Sequence, residues 1–472
     1  MTKIDWMAEV EKRKDALIQD TQGLLHIKSI LDEEHASSEA PLGKGVKEAL
    51  DYMLHLGEKD GFIAKNVGNV SGHLEFGEGK DLLGVLCHVD VVPEGDGWTS
   101  DPFGAEIRNG KIYARGALDD KGPTMAAYYA MKIVKELGLP LAKRVRMIIG
   151  TDEESGWRCV EHYFNHEEMP TLGFAPDADF PIINAEKGIA NFDIVQNVLV
   201  PEASNNNIGV VSFVSGKRYN MVPDFAKAVL NTKNQNEISQ QFTNFMNNHE
   251  LEHNFTSEKD QLILEVKGIS AHGSLPEHGK NAGLFLAEFL STLNVDSKAE
   301  HYFQFVSRYF FKDSRGVKIG VAYSDDISGD LTVNPGKFSY SAESGGSIGI
   351  TCRYSVTNKI EKTKAKLDLL LEKEGFVMEN FSDSKPHHVD EKEFLIQTMK
   401  KVYEEQTGEK AELIAIGGGT YARSLKLGVA FGPLFPGRPD IAHQKDEYMY
   451  IEDLVKATAI YAQTIYELAQ NK

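Results

Sequence analysis

Cysteine is scarce: the 472 residues contain three, Cys87, Cys159 and Cys352. An odd, sparse set without short spacings argues against a disulfide framework or a cysteine-rich structural zinc site. It suits a reducing compartment. Long apolar runs are missing too. No stretch approaches the ~20 residues needed to span a membrane. The opening residues, MTKIDWMAEVEKRKDALIQD, lack the pattern of a signal peptide. Cations are in deficit, with 51 Lys and Arg against 70 Asp and Glu, a net charge of −19. That balance argues against nucleic acid and anionic membranes as partners. Low-complexity linkers and internal repeats are absent. A cytoplasmic protein is expected.

The length exceeds what one core usually holds, so two or more domains are expected. Ile4, Trp6, Val10, Leu17 and Ile18 suit one amphipathic N-terminal helix, and 41–57 suit a second. LLGVLC (82–87) and RVRMIIGT (144–151) read as buried strands: short, apolar and followed by turn chemistry. Residues 123–138 read as a helix with Pro123 in its first turn and Gly138 at its end. Alternating strands and helices imply an α/β sheet covered by helices. From about 187 to 385 the pattern changes. Alternating segments such as NIGVVSFVSG (207–216), QLILEVKG (261–268) and GSIGITCRYSV (346–356) imply an α+β insert. A helix is expected at 391–405 with Phe394, Met399 and Val402 inward. AELIAIGGGT (411–420) returns to strand-then-glycine, and 451–470 is a final helix. The first and last segments therefore build one domain around the insert.

Histidine and acidic residues recur where apolar runs stop. His88 and Asp90 stand two apart, on one side of an extended chain. An imidazole there can bind a metal while the carboxylate fixes its orientation, or both can simply end a strand. Asp119 and Asp120 precede a helix start, where Asp caps for structural reasons alone. A carboxylate there can also bridge two cations ~3.5–4 Å apart. Glu153 and Glu154 follow a strand directly. Adjacent carboxylates repel, and a cation would relieve them; one Glu can bind it while its neighbour takes a proton from water. Asp177 and Asp179 share APDADFP, a turn-like segment, and His443 lies in the Pro- and Gly-rich stretch FPGRPDIAHQKDE. Each motif has an ordinary structural explanation. Five together, mostly at strand ends where α/β sheets place their sites, point to a Zn or Mn centre.

The segments HVDVVPEGDGW, ARGALDDKGPTMA, DEESGW, PDADFP, GISAHGSLPEHGKNA, GGGTYAR and AHQKDEYM occur in this order. With them the chain resembles the co-catalytic zinc metallopeptidases that include aminoacylases, succinyl-diaminopimelate desuccinylases and carnosinases. Among these it is similar to the PepV-type bacterial dipeptidases over nearly its whole length. The resemblance implies a discontinuous catalytic domain, 1–186 and 386–472, with a mixed sheet flanked by helices, and an inserted α+β lid at 187–385. It implies two divalent metal ions, Zn or Mn. His88 and Asp177 would hold one, Glu154 and His443 the other, and Asp119, two residues before Lys121, would bridge them. Glu153 would be the general base and Asp90 would orient His88. From the lid, His272 would polarise the scissile carbonyl, and Asn220 and Arg353 would contact substrate. Gly418, Gly419 and Thr420 would lie in the loop that holds the substrate carboxylate, at the start of a helix whose amides suit an anion. The long lid implies a monomer that completes its own site.

The activity implied is hydrolysis of dipeptides with a free N-terminus. An N-acyl-amino-acid amidase or desuccinylase would use the same metal residues, and a non-catalytic metal-binding protein is the remote alternative. Cys87 and Cys159, near these motifs, could add redox sensitivity or simply be small buried residues.

Overall fold

The computed structural model describes residues 4–197 and 208–470. They form two compact units. One is drawn from Met1–Ala185, His388–Ile414 and Gly419–Lys472, the other from Glu186–His387 and Ala415–Gly418. Among the described residues, no helix is long and apolar enough to cross a membrane.

The first unit is built on a mixed sheet. Its centre is Leu82–His88, seven residues all buried. Such a strand needs both faces covered, which explains its continuous apolar sequence. It pairs in parallel with Arg144–Gly150 on one side and Leu172–Ala175 on the other. Gly428–Ala430 continues the parallel set beside Leu172–Ala175. Ser71–Phe76 pairs antiparallel with Arg144–Gly150, and Ile63–Val67 closes that edge. The helix Lys121–Glu136 packs against Ile451–Gln470 and Lys14–Leu25, while Lys44–Lys59 and Arg158–His166 lie on Ser71–Phe76. Leu83, Val85, Met125, Tyr129, Val145 and Ile460 belong to its core, with at most 1 % of their surface exposed. Each such side chain contributes roughly 1.5–3 kcal/mol on burial.

The second unit holds an eight-stranded sheet in the order Glu252–Glu258, Gln261–Lys267, Phe225–Thr232, Ile208–Ser215, Thr332–Ser341, Gly345–Tyr354, Gly188–Gln196 and Phe376–Ser384. All its pairings are antiparallel. Gly188–Gln196 alternates strictly between buried and half-buried positions, as expected of a sheet with one face on a core. Phe213, Phe242, Phe289, Tyr302 and Phe338 lie in a separate apolar core.

Three local expectations are corrected. The N-terminal segment is two helices, Trp6–Glu11 and Lys14–Leu25, broken at Arg13, whose ψ is 5°. Arg13 bonds back to the Glu9 carbonyl and side chain and across to Glu136, which holds the break. Phe394 opens its helix, Phe394–Thr407, and is 45 % exposed; the buried face starts one residue later, with Leu395, Ile396, Met399 and Val402. The glycine run leads into a four-residue 3-10 helix, Tyr421–Ser424, not an α-helix. It is too short to carry a helix dipole of consequence.

Candidate active site

Three parallel strands of the first unit end at one edge of the sheet, and their loops converge there. His88 closes Leu82–His88 and lies opposite Gly150. Glu153 and Glu154 follow Arg144–Gly150, and Asp177 follows Leu172–Ala175. Asp119 stands just before the helix Lys121–Glu136. His443 arrives from the loop before Tyr448–Tyr450, in a left-handed backbone conformation (φ 63°).

These side chains meet. His88 Nε2 lies 3.1 Å from Asp119 Oδ1 and 3.7 Å from Asp177 Oδ1. His443 Nε2 lies 3.0 Å from Asp119 Oδ2 and 3.0 Å from Glu154 Oε1. The two oxygens of Asp119 therefore face different histidines. Ligand atoms of His88, Glu153 and Asp177 fall within 4.8 Å of one another, as do those of His88, Asp119 and Glu154.

The histidine protons show what this donor set fits. His88 Nδ1 is 3.1 Å from the Asp90 carbonyl, which can only accept, so Nδ1 carries the proton. Nε2 then turns a lone pair toward two carboxylates. It is buried and makes no hydrogen bond of acceptable geometry. Such an arrangement needs a cation, either a proton or a metal ion.

The electrostatics agree. Burial opposes protonation of His88, but Asp119 and Asp177 outweigh it and raise its pKa well above the ordinary value. Contacts with Asp119 and Glu154 push His443 up to about 11. Burial, reinforced by Asp177, raises Glu153 well above the carboxylate range. Burial and the charge of Asp119 lift Glu154 to about 7 and Asp177 to about 6. Burial would raise Asp119 as well, but contacts with His443 and His88 prevail and hold it low. The cluster must gather protons to balance its own charge, and divalent cations would replace them. Two imidazoles among carboxylates suit Zn or Mn, so the residues fit a two-metal centre.

Neighbours of the cluster hold it in shape. The Asp90 carboxylate lies 3.4 Å from His88 Nδ1, but its hydrogen bonds come from the backbone amides of Glu153 and Glu154, at 3.2 and 3.1 Å. It thus positions the acidic loop as well as the imidazole. Asp120 turns inward and accepts from His88 N and Thr124 Oγ1, each at 3.1 Å. That separates it from Asp119, which faces the cluster. The sequence reading missed Glu447 and Arg115. Glu447 Oε1 accepts from the amides of Leu118 (2.8 Å) and Asp119 (3.2 Å), while Oε2 pairs with Arg115. Arg115 also donates to the His443 carbonyl at 3.2 Å. One buried ion pair thus ties Asp119 to His443. Both residues stand inside quoted motifs, ARGALDD and AHQKDEYM, but no local spacing announces a pair 332 positions apart.

Asn220, His272, Arg353 and Gly418 belong to the second unit. Asn220 O accepts from Gly273 N at 2.8 Å, and Met221 bridges to His272. Ser274 N donates to His272 Nδ1 at 3.3 Å, so the ring proton sits on Nε2. Burial and the charge of Arg353 lower the His272 pKa, which keeps the ring neutral at pH 7. Arg353 Nη1 donates to the Gly417 carbonyl at 3.0 Å. Gly419 and Thr420 belong to the first unit, where Thr420 Oγ1 accepts from Ala422 N at 3.2 Å and caps the 3-10 helix. Cys87 and Cys159 are buried, and Cys159 contacts the Tyr421 hydroxyl at 2.7 Å.

Comparison with known proteins gives consistent findings. Residues 84–467 match the model of Peptidase family M20/M25/M40. A Bacillus subtilis protein named "Putative dipeptidase YtjP" is 55 % identical over 99 % of this chain and 100 % of its own length. A Staphylococcus epidermidis protein named "Putative dipeptidase" is 46 % identical over 98 % of this chain and 99 % of its own. Among solved structures, aminoacylhistidine dipeptidase from Vibrio alginolyticus shares the fold with a TM-score of 0.59, at 14 % identity over 97 % of each chain. With most of its residues inside one family description and relatives aligned over nearly their full length, this chain belongs to peptidase family M20/M25/M40.

Proposed function

We propose that the chain is a metal-dependent dipeptidase acting on short peptides with a free N-terminus. The observation that carries this reading is Asp119, which turns one carboxylate oxygen to each of two histidines at the C-terminal ends of the parallel strands of a mixed sheet. The names of the relatives, dipeptidases in both cases, support the substrate class. His88 and Asp177 would hold one cation, Glu154 and His443 the other, and Asp119 both. Zn or Mn bound there would polarise the scissile carbonyl and acidify water. Glu153 is the general base: ionised beside the cations, it takes the proton of the attacking water and passes it to the leaving amine. His272, neutral with its proton on Nε2, donates to the carbonyl oxygen as negative charge develops. Asn220, Arg353, Gly418, Gly419 and Thr420 orient the substrate and its carboxylate. In this reading residues 1–186 and 386–472 are the catalytic domain and 187–385 the lid. One chain then supplies every group, as a cytoplasmic monomer.

A panel of dipeptides against N-acetylated amino acids tests the substrate class. Turnover of the acylated compounds alone would make the protein an amidase or desuccinylase. Glu153→Gln tests the base: two metal equivalents should remain while kcat falls by ~10²–10⁴. A drop to one equivalent would instead make Glu153 a ligand.

A further inference from the structure

In the second unit, the segment carrying Asn220 runs beside the one carrying His272. Val222 N donates to the Ala271 carbonyl at 2.9 Å and Gly273 N to the Asn220 carbonyl at 2.8 Å, with Met221 opposite His272. A two-stranded pairing this short is marginal by itself in water. Its support is the strand Thr332–Ser341, whose first five residues are all buried.

Thr332 and Asn334 stand two apart on that strand and so share one of its faces. Thr332 Oγ1 donates to the Ser274 carbonyl at 3.3 Å, next to the Ser274 amide that fixes the His272 ring. Asn334 is 1 % exposed. Its Nδ2 donates to the carbonyls of Tyr219 and Met221, at 2.9 and 3.0 Å. These are the residues before and after Asn220, so one NH₂ group holds the chain on both sides of it. The approach is close: a Cβ at Gly273 would lie 3.0 Å from Asn334 Nδ2 and 3.0 Å from the Asn220 carbonyl carbon. Asn334 Oδ1 is buried and accepts no hydrogen bond. Leaving such an acceptor unmet costs stability. The strand itself therefore gives no reason for an amide here, whereas the two carbonyls do. The Tyr219 side chain is tied separately, its hydroxyl donating to Asp193 Oδ1 at 2.8 Å. Loss of the Asn334 bonds would thus free the Asn220 backbone without releasing the whole loop.

We propose that Asn334 is a positioning residue: it sets the Asn220 backbone against the His272 segment and, through Asn220, orients the substrate. The role in turnover rests on the proposed function; the placement of the backbone does not.

Two variants of the full-length holoenzyme test this. Asn334→Asp keeps the size but turns an acceptor toward two carbonyls, and Asn334→Ala removes the donors without repulsion. Each should lower kcat/KM for a dipeptide by ~10–10², the cost of an ångström-scale misplacement. Mere destabilisation would give a loss that multiplies with that of Asn220→Ala. Positioning through Asn220 predicts that Asn334→Ala combined with Asn220→Ala is no worse than Asn220→Ala alone. Hydrogen exchange needs no turnover. In both variants it should quicken at 219–222 and 271–273 and stay unchanged in the paired strands Phe225–Thr232 and Gln261–Lys267. A kcat/KM within about two-fold of wild type, losses that multiply in the double variant, or unaltered exchange at 219–222 would each overturn the proposal. If the wild type hydrolyses no dipeptide, the proposed function fails, and the exchange rates alone decide the placement.

Discussion

Replacing Glu447 with Gln removes one charge from a carboxylate that three donors share. Oε1 takes the amides of Leu118 and Asp119, and Oε2 takes Arg115. A glutamine offers one oxygen and one NH₂ group. If its oxygen faces the backbone, the NH₂ opposes the guanidinium; turned over, the NH₂ opposes two N–H groups. Either way buried donors meet donors. Glu447 and Arg115 are 0 % and 1 % exposed, so solvent cannot rescue the loser. Removing one partner of a buried pair costs about 3–5 kcal/mol. Because Arg115 also holds the His443 carbonyl and Glu447 holds the Asp119 amide, the geometry of the metal centre should loosen too. Groups that orient metal ligands typically contribute 10–100-fold to metal affinity. Urea unfolding of metal-free wild type and Glu447→Gln should show a loss of about 3–5 kcal/mol. Competition with a chromogenic chelator should show weaker metal binding. Replacing both partners with apolar residues, Arg115→Met with Glu447→Leu, should recover only part of the stability, because the Leu118 and Asp119 amides still lose their acceptor, and none of the metal affinity. A Glu447→Gln protein within about 1 kcal/mol of wild type, with unchanged metal affinity, would refute the reasoning.

Two further outcomes are expected. His272→Ala should lower kcat by ~10²–10³ at unchanged metal content, as for loss of an oxyanion donor, and undiminished turnover would remove His272 from the mechanism. His73 is buried, and desolvation together with Arg146 lowers its pKa from 6.5 to about 4. Above pH 6.5 it is neutral folded and unfolded alike. As the pH falls from 6.5 to 4, only the unfolded chain takes up the proton, so stability should drop by on the order of 3 kcal/mol. His73→Gln should flatten that part of the stability–pH curve, and an unaltered slope would exclude His73 as its source.

The parts of this molecule that could be read from sequence are those whose cause is local. Leu82–His88 and Arg144–Gly150 stand out because strands covered on both faces must be apolar throughout. Ile451–Gln470 stands out through its long helical period. The ends of those strands point to His88, Glu153 and Glu154, which the structure gathers with Asp119, Asp177 and His443. What stayed hidden depends on contacts between distant segments. The resemblance chose Asp119 over its chemically identical neighbour, but the physical reason, the inward bonds of Asp120 to His88 N and Thr124, is seen only in the fold. The bonds from Asp90 to the Glu153 and Glu154 amides cross 63 and 64 positions. Glu447 and Arg115 look like ordinary charged residues until their burial is seen. Phe394 misled because an apolar residue in the first turn of a helix fits the periodicity without sharing the buried face.

The most direct test of the central claim is a metal titration of the stripped protein, following hydrolysis of a dipeptide as Zn or Mn is added back. The account predicts no hydrolysis without metal and full activity at two equivalents per chain. Hydrolysis by the metal-free protein, or activity complete at a single equivalent, would contradict it.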